Sequence, residues 1–131
     1  MSRHLLLIDA HAVLHRAYHA IPQLTVNGQP VNAIYGFYSA LISTLDQLAP
    51  THLSVCLDSP GPTFRNKQYI AYRTQRKKPD QDLLDQLPRL PDTLATVNID
   101  YHALSGYEAD DLLATLAKKY GQKFKVTIIT G

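Results

Sequence analysis

The sequence has little of several things, and each shortage excludes something. It contains one cysteine, no tryptophan and a single glutamate, Glu108. With Cys56 alone no internal disulfide forms, and its place in the apolar run LSVCLD marks it as a reduced core residue of an intracellular protein. Cys56 has no strand-end histidine beside it in the pattern, which argues against a thiol nucleophile. There is no run of 18 apolar residues, and the HLLLID behind the N-terminus is too short for a signal peptide or a span. The six glycines are scattered, so neither a GxGxxG nor a Walker-type phosphate loop is present. A net charge of +2 is too small to identify a partner.

What remains is a chain of 131 residues, 45% hydrophobic and 18% charged, the usual composition and size of one soluble globular domain. Short apolar runs of β type alternate with longer helical patterns. The spacing predicts strands at 4–9 (HLLLID), 52–58 (HLSVCLD), 99–104 (IDYHAL) and 124–130 (FKVTIIT). Helices are expected at 11–20, from Asn32 to just before Pro50, and from about Tyr107 to Gly121. Residues 21–30, with two prolines and Asn27-Gly28, read as a loop, and the helical pattern over 82–98 should be started, kinked or divided by Pro88 and Pro91. Alternation of this kind predicts an α/β fold with a mainly parallel sheet covered on both faces. Ligands of such sheets bind beyond the carboxyl ends of the strands.

The acids fall at that rim. Asp9 ends the first strand, Asp58 ends the second, and Glu108, Asp110 and Asp111 open the helix after the third. Two carboxylates 4 Å apart repel by about 4 kcal/mol where the effective dielectric constant is near 20, so crowding them needs a reason. A hard divalent cation, Mg²⁺ or Mn²⁺, is one, because it takes oxygen ligands. Helix capping is the other: Asp9 suits the helix that follows it, Asp58 suits the turn DSPG, and Ser105 with Glu108 matches an S-x-x-E capping box. Capping suits each acid taken singly, but it does not explain why three connections behave alike. Counting 100° per residue, Glu108 and Asp110 flank the buried stripe of that helix, while Asp111 points away and would act as an outer ligand through water. His11, His15 and His19 stand at i, i+4 and i+8 on one face; a polar surface stripe is the ordinary meaning of that pattern, a metal site the rarer one.

Between Arg65 and Lys78 the chain carries Arg65, Lys67, Arg73, Arg76, Lys77 and Lys78 without an acid, interleaved with Tyr69 and Tyr72. Such a segment suits a phosphate backbone with stackable bases, or a solvated helix face. Six like charges with few apolar anchors are expected to leave residues 65–80 mobile in the free protein.

The stretches LLLIDAHAVLHRAYHA, VNAIYGFYSAL, THLSVCLDSPGPTFRNKQYIAYRTQR and GYEADDLLATLA closely resemble the 5′-nuclease domain of bacterial DNA polymerase I, whose relatives include stand-alone 5′–3′ exonucleases and flap endonucleases. The resemblance covers nearly the whole chain; Ala10-His11 stands where a Gly-Asn pair is common. It implies a PIN-like three-layer α/β fold with a basic helical arch at about 60–86. It further implies a phosphodiesterase of the two-metal type, Mg²⁺- or Mn²⁺-dependent, with Asp9, Asp58, Glu108, Asp110 and Asp111 as metal ligands. By the same match Arg16 would face the scissile phosphate, Tyr72 would stack on a base near the cut, and Arg73 would clamp a phosphate. Arg73 stands where lysine is frequent, which keeps the charge and changes the geometry. Arg65, Lys67, Tyr72, Arg73, Arg76, Lys77 and Lys78 would bind DNA.

The implied partner is DNA with a 5′ flap, nick or 5′ end. The protein would be cytoplasmic and nucleoid-associated, away from membranes, monomeric, and in some parents fused to polymerase domains. Relatives continue past the position of Gly131 with a further Asp-rich motif and a helix-hairpin-helix element, so the chain reads as the N-terminal part of such a domain, with a weak second metal and poor DNA affinity. A nucleic-acid-binding module without catalysis, or a PIN-type ribonuclease, are the alternatives.

Overall fold

The computed structural model describes residues 2–61 and 79–130. Among them the elements run β1 (His4–Asp9), α1 (Ala10–Ala20), β2 (Thr25–Val26), β3 (Gln29–Pro30), α2 (Asn32–Leu48), β4 (His52–Cys56), α3 (Gln81–Gln86), α4 (Arg89–Thr96), β5 (Tyr101–His102), α5 (Ala109–Tyr120) and β6 (Lys125–Ile129). Four strands form one sheet in the order β5-β4-β1-β6, every pair parallel. This is the three-layer α/β architecture expected from the alternation.

The central strand explains the layering. Leu6 and Ile8 face one core, shared with Val13 and Leu14 of α1, Ala33, Phe37 and Leu41 of α2, Leu83 of α3, and Leu90 and Leu94 of α4. Leu5 and Leu7 face the other, packed with Cys56 and with Ala109 and Leu113 of α5. A strand buried on both faces reads as a continuous apolar run, which is what HLLLID is. Its register with β4 sets Asp9 opposite Cys56, and its register with β6 sets Ile8 opposite Ile129.

Two expectations needed correction. Residues 21–30 are not all loop: Thr25–Val26 and Gln29–Pro30 pair antiparallel around Asn27 and Gly28. Both turn residues have positive φ, 53° and 78°, as a two-residue hairpin turn of this hand requires. The third strand is only Tyr101–His102, at the sheet edge beside β4. The 82–98 pattern is divided as expected, into α3 and α4, with Pro88 as the N-cap of α4 and Pro91 in its first turn, where a missing N–H costs nothing.

The expected arch residues Arg65, Lys67, Tyr72, Arg73, Arg76, Lys77 and Lys78, and the mobility expected of that segment, lie outside the described residues. The end of the arch range is described. There, Gln86 of α3 is fully buried, and its Oε1 accepts from the main-chain N–H groups of Ala33 (2.7 Å) and Ile34 (3.1 Å). Its Nε2 donates to Asn32 Oδ1 at 2.9 Å. The start of α2, whose N-cap Val31 has no side chain able to cap it, is therefore capped from α3.

Helices α1 and α2 meet closely at Gly36. A Cβ placed there would stand 2.5 Å from Ala17 Cβ, 2.6 Å from Ile21 Cδ1 and 3.3 Å from Ala17 Cα; the isoleucine tip can turn away, but Ala17 can yield only with its backbone. Gly36→Ala should lose about 1–3 kcal/mol of stability by overpacking, against the slight gain alanine normally brings to a helix interior. Chemical denaturation measures the difference; a neutral or stabilising result would contradict the tight crossing.

Candidate active site at the carboxyl rim of the sheet

Each predicted rim acid has a definite local reason for its place. Asp9 is the last residue of β1 and the N-cap of α1; its Oδ1 accepts from Ala12 N–H at 3.2 Å. Its Oδ2 accepts from the hydroxyl of Thr130 at 2.9 Å. Thr130 lies one residue past β6, so Asp9 is held by two elements far apart in sequence. At 8% exposure Asp9 is largely removed from water, and these bonds replace the hydration it gives up.

Asp58 lies two residues past β4, and its Oδ1 accepts from the main-chain N–H of Ala109 at 2.7 Å. Ala109 is the first residue of α5, so an aspartate from the β4 loop satisfies an otherwise open donor at that helix start. The two loops are joined further by Ser59. Its main-chain N–H (3.3 Å) and hydroxyl (3.1 Å) both reach Tyr107 O, and its Oγ accepts from Gly106 N–H at 3.2 Å. Gly106 has φ of 86°, a conformation that favours glycine. These bonds bring LDSPG and SGYEADD, about fifty residues apart in sequence, to one place.

Glu108 is the N-cap of α5, not part of its first turn, and only 2% exposed. Glu108 and Asp111 form a reciprocal capping box, in which Glu108 N–H donates to Asp111 Oδ2 at 2.9 Å. Two expectations change as a result. Ser105 does not start the helix; it belongs to the turn before it. The angular placement of Glu108, Asp110 and Asp111 also fails, because Glu108 has extended backbone (φ −97°, ψ 163°) and stands outside the helical count. Asp111 folds back toward Glu108 and is part-buried, while Asp110 is exposed.

Two further residues on the rim carry contacts of interest. His11 Nδ1 accepts from Asp58 N–H at 3.2 Å, and the same ring nitrogen stands 3.6 Å from Asp58 Oδ2. The ring thus holds the β4 loop rather than joining His15 and His19 in a shared site. Arg16, exposed on α1, donates through NH2 to Thr130 O at 2.8 Å and stands at the end of β6. Ser59, His11 and Thr130 were missed as rim residues in the sequence. Only their positions beside Asp58, Asp9 and the last strand hinted at them. Cys56 is buried and its thiol is pushed up to about 11, first by burial and then by Asp9 and Asp100, so it stays protonated and inert.

Chemically, the rim offers carboxylate oxygens from β1, from the β4 loop and from the start of α5. Among the described residues, no three His, Cys, Asp or Glu side chains close on a common point. The acids line the rim, held by their capping bonds. A carboxylate oxygen has two acceptor positions, so one hydrogen bond leaves it able to ligate. The all-oxygen donor set therefore fits a hard divalent cation by type.

The sequence of residues 4–131 matches the family model of the 5′–3′ exonuclease N-terminal resolvase-like domain. The chain belongs to this family. Relatives of this exonuclease-family chain include the 5′–3′ exonuclease of Aquifex aeolicus, 41% identical over 126 residues, covering 95% of this chain and 44% of the relative. The DNA polymerase I of Borreliella burgdorferi is 38% identical over 130 residues, covering 97% of this chain and 14% of that protein. The chain thus spans less than half of either relative. The fold is shared with a bacteriophage T5 5′-exonuclease structure holding zinc, with TM-score 0.70 and 22% identity over 98% of this chain and 49% of the other. A T5 flap endonuclease complex with DNA and metal ions also has TM-score 0.70 and 22% identity, over 98% of this chain and 48% of the other.

Asp58 can be tested for its two uses separately. Asp58→Ala, which removes the acceptor for Ala109 N–H, should cost about 1 kcal/mol in thermal or chemical denaturation, as loss of a cap does. Asp58→Asn keeps a carbonyl acceptor and should cost much less. Equal losses would show that the charge, not the hydrogen bond, holds the loop. At pH 8 the Cys56 thiol should resist iodoacetamide in the folded protein and react once unfolded in urea; rapid labelling of the folded protein would contradict its burial.

Proposed function

We propose that this chain carries the catalytic rim of a divalent-metal-dependent 5′–3′ exonuclease and 5′-flap endonuclease, hydrolysing DNA phosphodiesters in replication and repair. The observation that carries the proposal is that Asp9 and Asp58 stand at one rim, Asp9 bonded to Thr130 just past β6 and Asp58 to Ala109 at the start of α5 beside Glu108, in a chain of this family. Asp9, Asp58, Glu108, Asp110 and Asp111 are the residues that would hold Mg²⁺ or Mn²⁺. When bound, the metal supplies a water of lowered pKa and a Lewis acid for phosphate oxygens.

The chain's own residues do the rest. Arg16 beside the rim offers a fixed guanidinium to a phosphate, for which its planar donors are suited. His11 and Ser59 hold the loop that presents Asp58. In this reading Arg65, Lys67, Tyr72, Arg73, Arg76, Lys77 and Lys78 bind the single-stranded 5′ end, Tyr72 by stacking and Arg73 by clamping phosphate near the cut. The partner is DNA with a 5′ end, nick or flap, the protein acts as a monomer in the cytoplasm beside the nucleoid, and larger parents carry polymerase domains. Among the described residues, no helix is long and apolar enough to cross a membrane.

The second reading is a module that binds nucleic acid without cutting it. A labelled 5′-flap duplex with Mg²⁺ or Mn²⁺ separates the two. Metal-dependent cutting that disappears in Asp110→Asn supports the nuclease, whereas binding without cutting supports the module. RNA in place of DNA tests a ribonuclease preference, which is not expected. Replacing Arg73 and Arg76 by glutamine should weaken DNA binding and make log K fall less steeply with log salt, by up to about 0.7 for each single-strand phosphate no longer neutralised. An unchanged slope would mean that these side chains do not touch phosphate.

A further inference from the structure

We propose that Thr130 is a positioning residue for the rim, its hydroxyl setting the Asp9 carboxylate and its carbonyl setting Arg16. This rests on the reading of the rim as a divalent-metal site. Thr130 uses both of its functional groups at once. The hydroxyl donates to Asp9 Oδ2 at 2.9 Å, and the carbonyl accepts from Arg16 NH2 at 2.8 Å. Asp9 and Arg16, 121 and 114 positions earlier in the chain, are thereby both tied to a single residue at the end of β6.

An aspartate carboxylate is oriented by two rotations. Asp9 receives hydrogen bonds at both oxygens from different directions: Ala12 N–H of α1 at Oδ1 and the Thr130 hydroxyl at Oδ2. With either bond alone the carboxylate can still swing; with both, the plane of its oxygens is set before any cation arrives. Partners that orient a ligating side chain commonly alter metal affinity 10- to 100-fold when removed, roughly the effect to look for here. The carbonyl of Thr130 then fixes how far the Arg16 guanidinium stands from that carboxylate.

Thr130 also has the features of a residue whose side chain serves the site more than the fold. It lies beyond the last ladder pair, Ile8 with Ile129, and it is exposed. Valine has nearly the same shape and lacks the hydroxyl, while serine keeps the hydroxyl and loses a methyl. The main-chain carbonyl is retained in both.

The test is a Mn²⁺ titration, with the free ion followed by its paramagnetic resonance signal, on the unaltered protein and on Thr130→Val, Thr130→Ser and Asp9→Asn. Thermal unfolding without metal is measured beside it. Thr130→Val should bind Mn²⁺ about tenfold more weakly or worse, Thr130→Ser should bind close to the unaltered protein, and both should unfold near the unaltered temperature. Asp9→Asn should lose binding most. If Asp9→Asn loses binding and Thr130→Val keeps it, the role of Thr130 is overturned while the rim stands. A serine variant as weak as the valine variant also overturns it, because side-chain shape rather than the hydroxyl would then be at work. If the unaltered protein does not bind Mn²⁺, or Asp9→Asn binds it equally well, the metal reading of the rim fails and this inference falls with it.

Discussion

The fold depends on one strand being dry on both sides. β1 sends Leu6 and Ile8 into the core beneath α1 to α4, and Leu5 and Leu7 into the core beneath α5. Both neighbouring strands take their register from it. A strand so enclosed changes chemistry only at its ends, and at the carboxyl end the apolar run gives way to Asp9. The polar rim is thus a consequence of how completely the rest of β1 is buried. Asp9 must be hydrogen-bonded because it emerges from a core, and the bonds it makes join α1 and β6 to the same point.

The rim acids show how one set of carboxylates can serve folding and still suit chemistry. Asp58 closes a helix start that belongs to another segment, and Asp111 closes the main chain of Glu108. Negative groups at the start of α5 are favoured by the partial positive charge of a helix N-terminus, which offsets part of their mutual repulsion. The choice between cap and cation site, posed by the spacing alone, was therefore a false one. Capping fixes where the oxygens stand, and a carboxylate oxygen that accepts one hydrogen bond retains a further acceptor position.

Much of this was legible in the residues and some was not. β1, α2, β4 and β6 announce themselves because their apolar patterns are dictated by cores the strands and helices cannot avoid. The acids at strand ends were visible for the same reason, since a strand-ending aspartate interrupts a run that burial imposes. The β2–β3 hairpin was overlooked although Asn27-Gly28 is a turn pair, because two-residue strands leave no alternation to detect. The start of α5 was placed two residues early, and the Ser105–Glu108 capping pattern sets the cap three residues before the observed one, because Glu108 and Asp111 form the box instead. The partners of Gln86, Thr130, His11 and Ser59 were beyond reach. Each bonds to a residue about fifty or more positions away, and no local period records such a pair.

The crossing at Gly36 gives the site a dimension that no rim residue controls. Gly36 lets α1 approach until Ala17 nearly touches the α2 backbone, and Ala17 follows Arg16 directly. The same helix begins at Asp9. The distance between the two helix axes therefore acts as a gauge for the site, set by a missing methyl group on the far side of α1. Lateral play in that helix would tilt its cap and its arginine together, so the spacing between a carboxylate and a guanidinium depends on helix packing as well as on the bonds both make to Thr130.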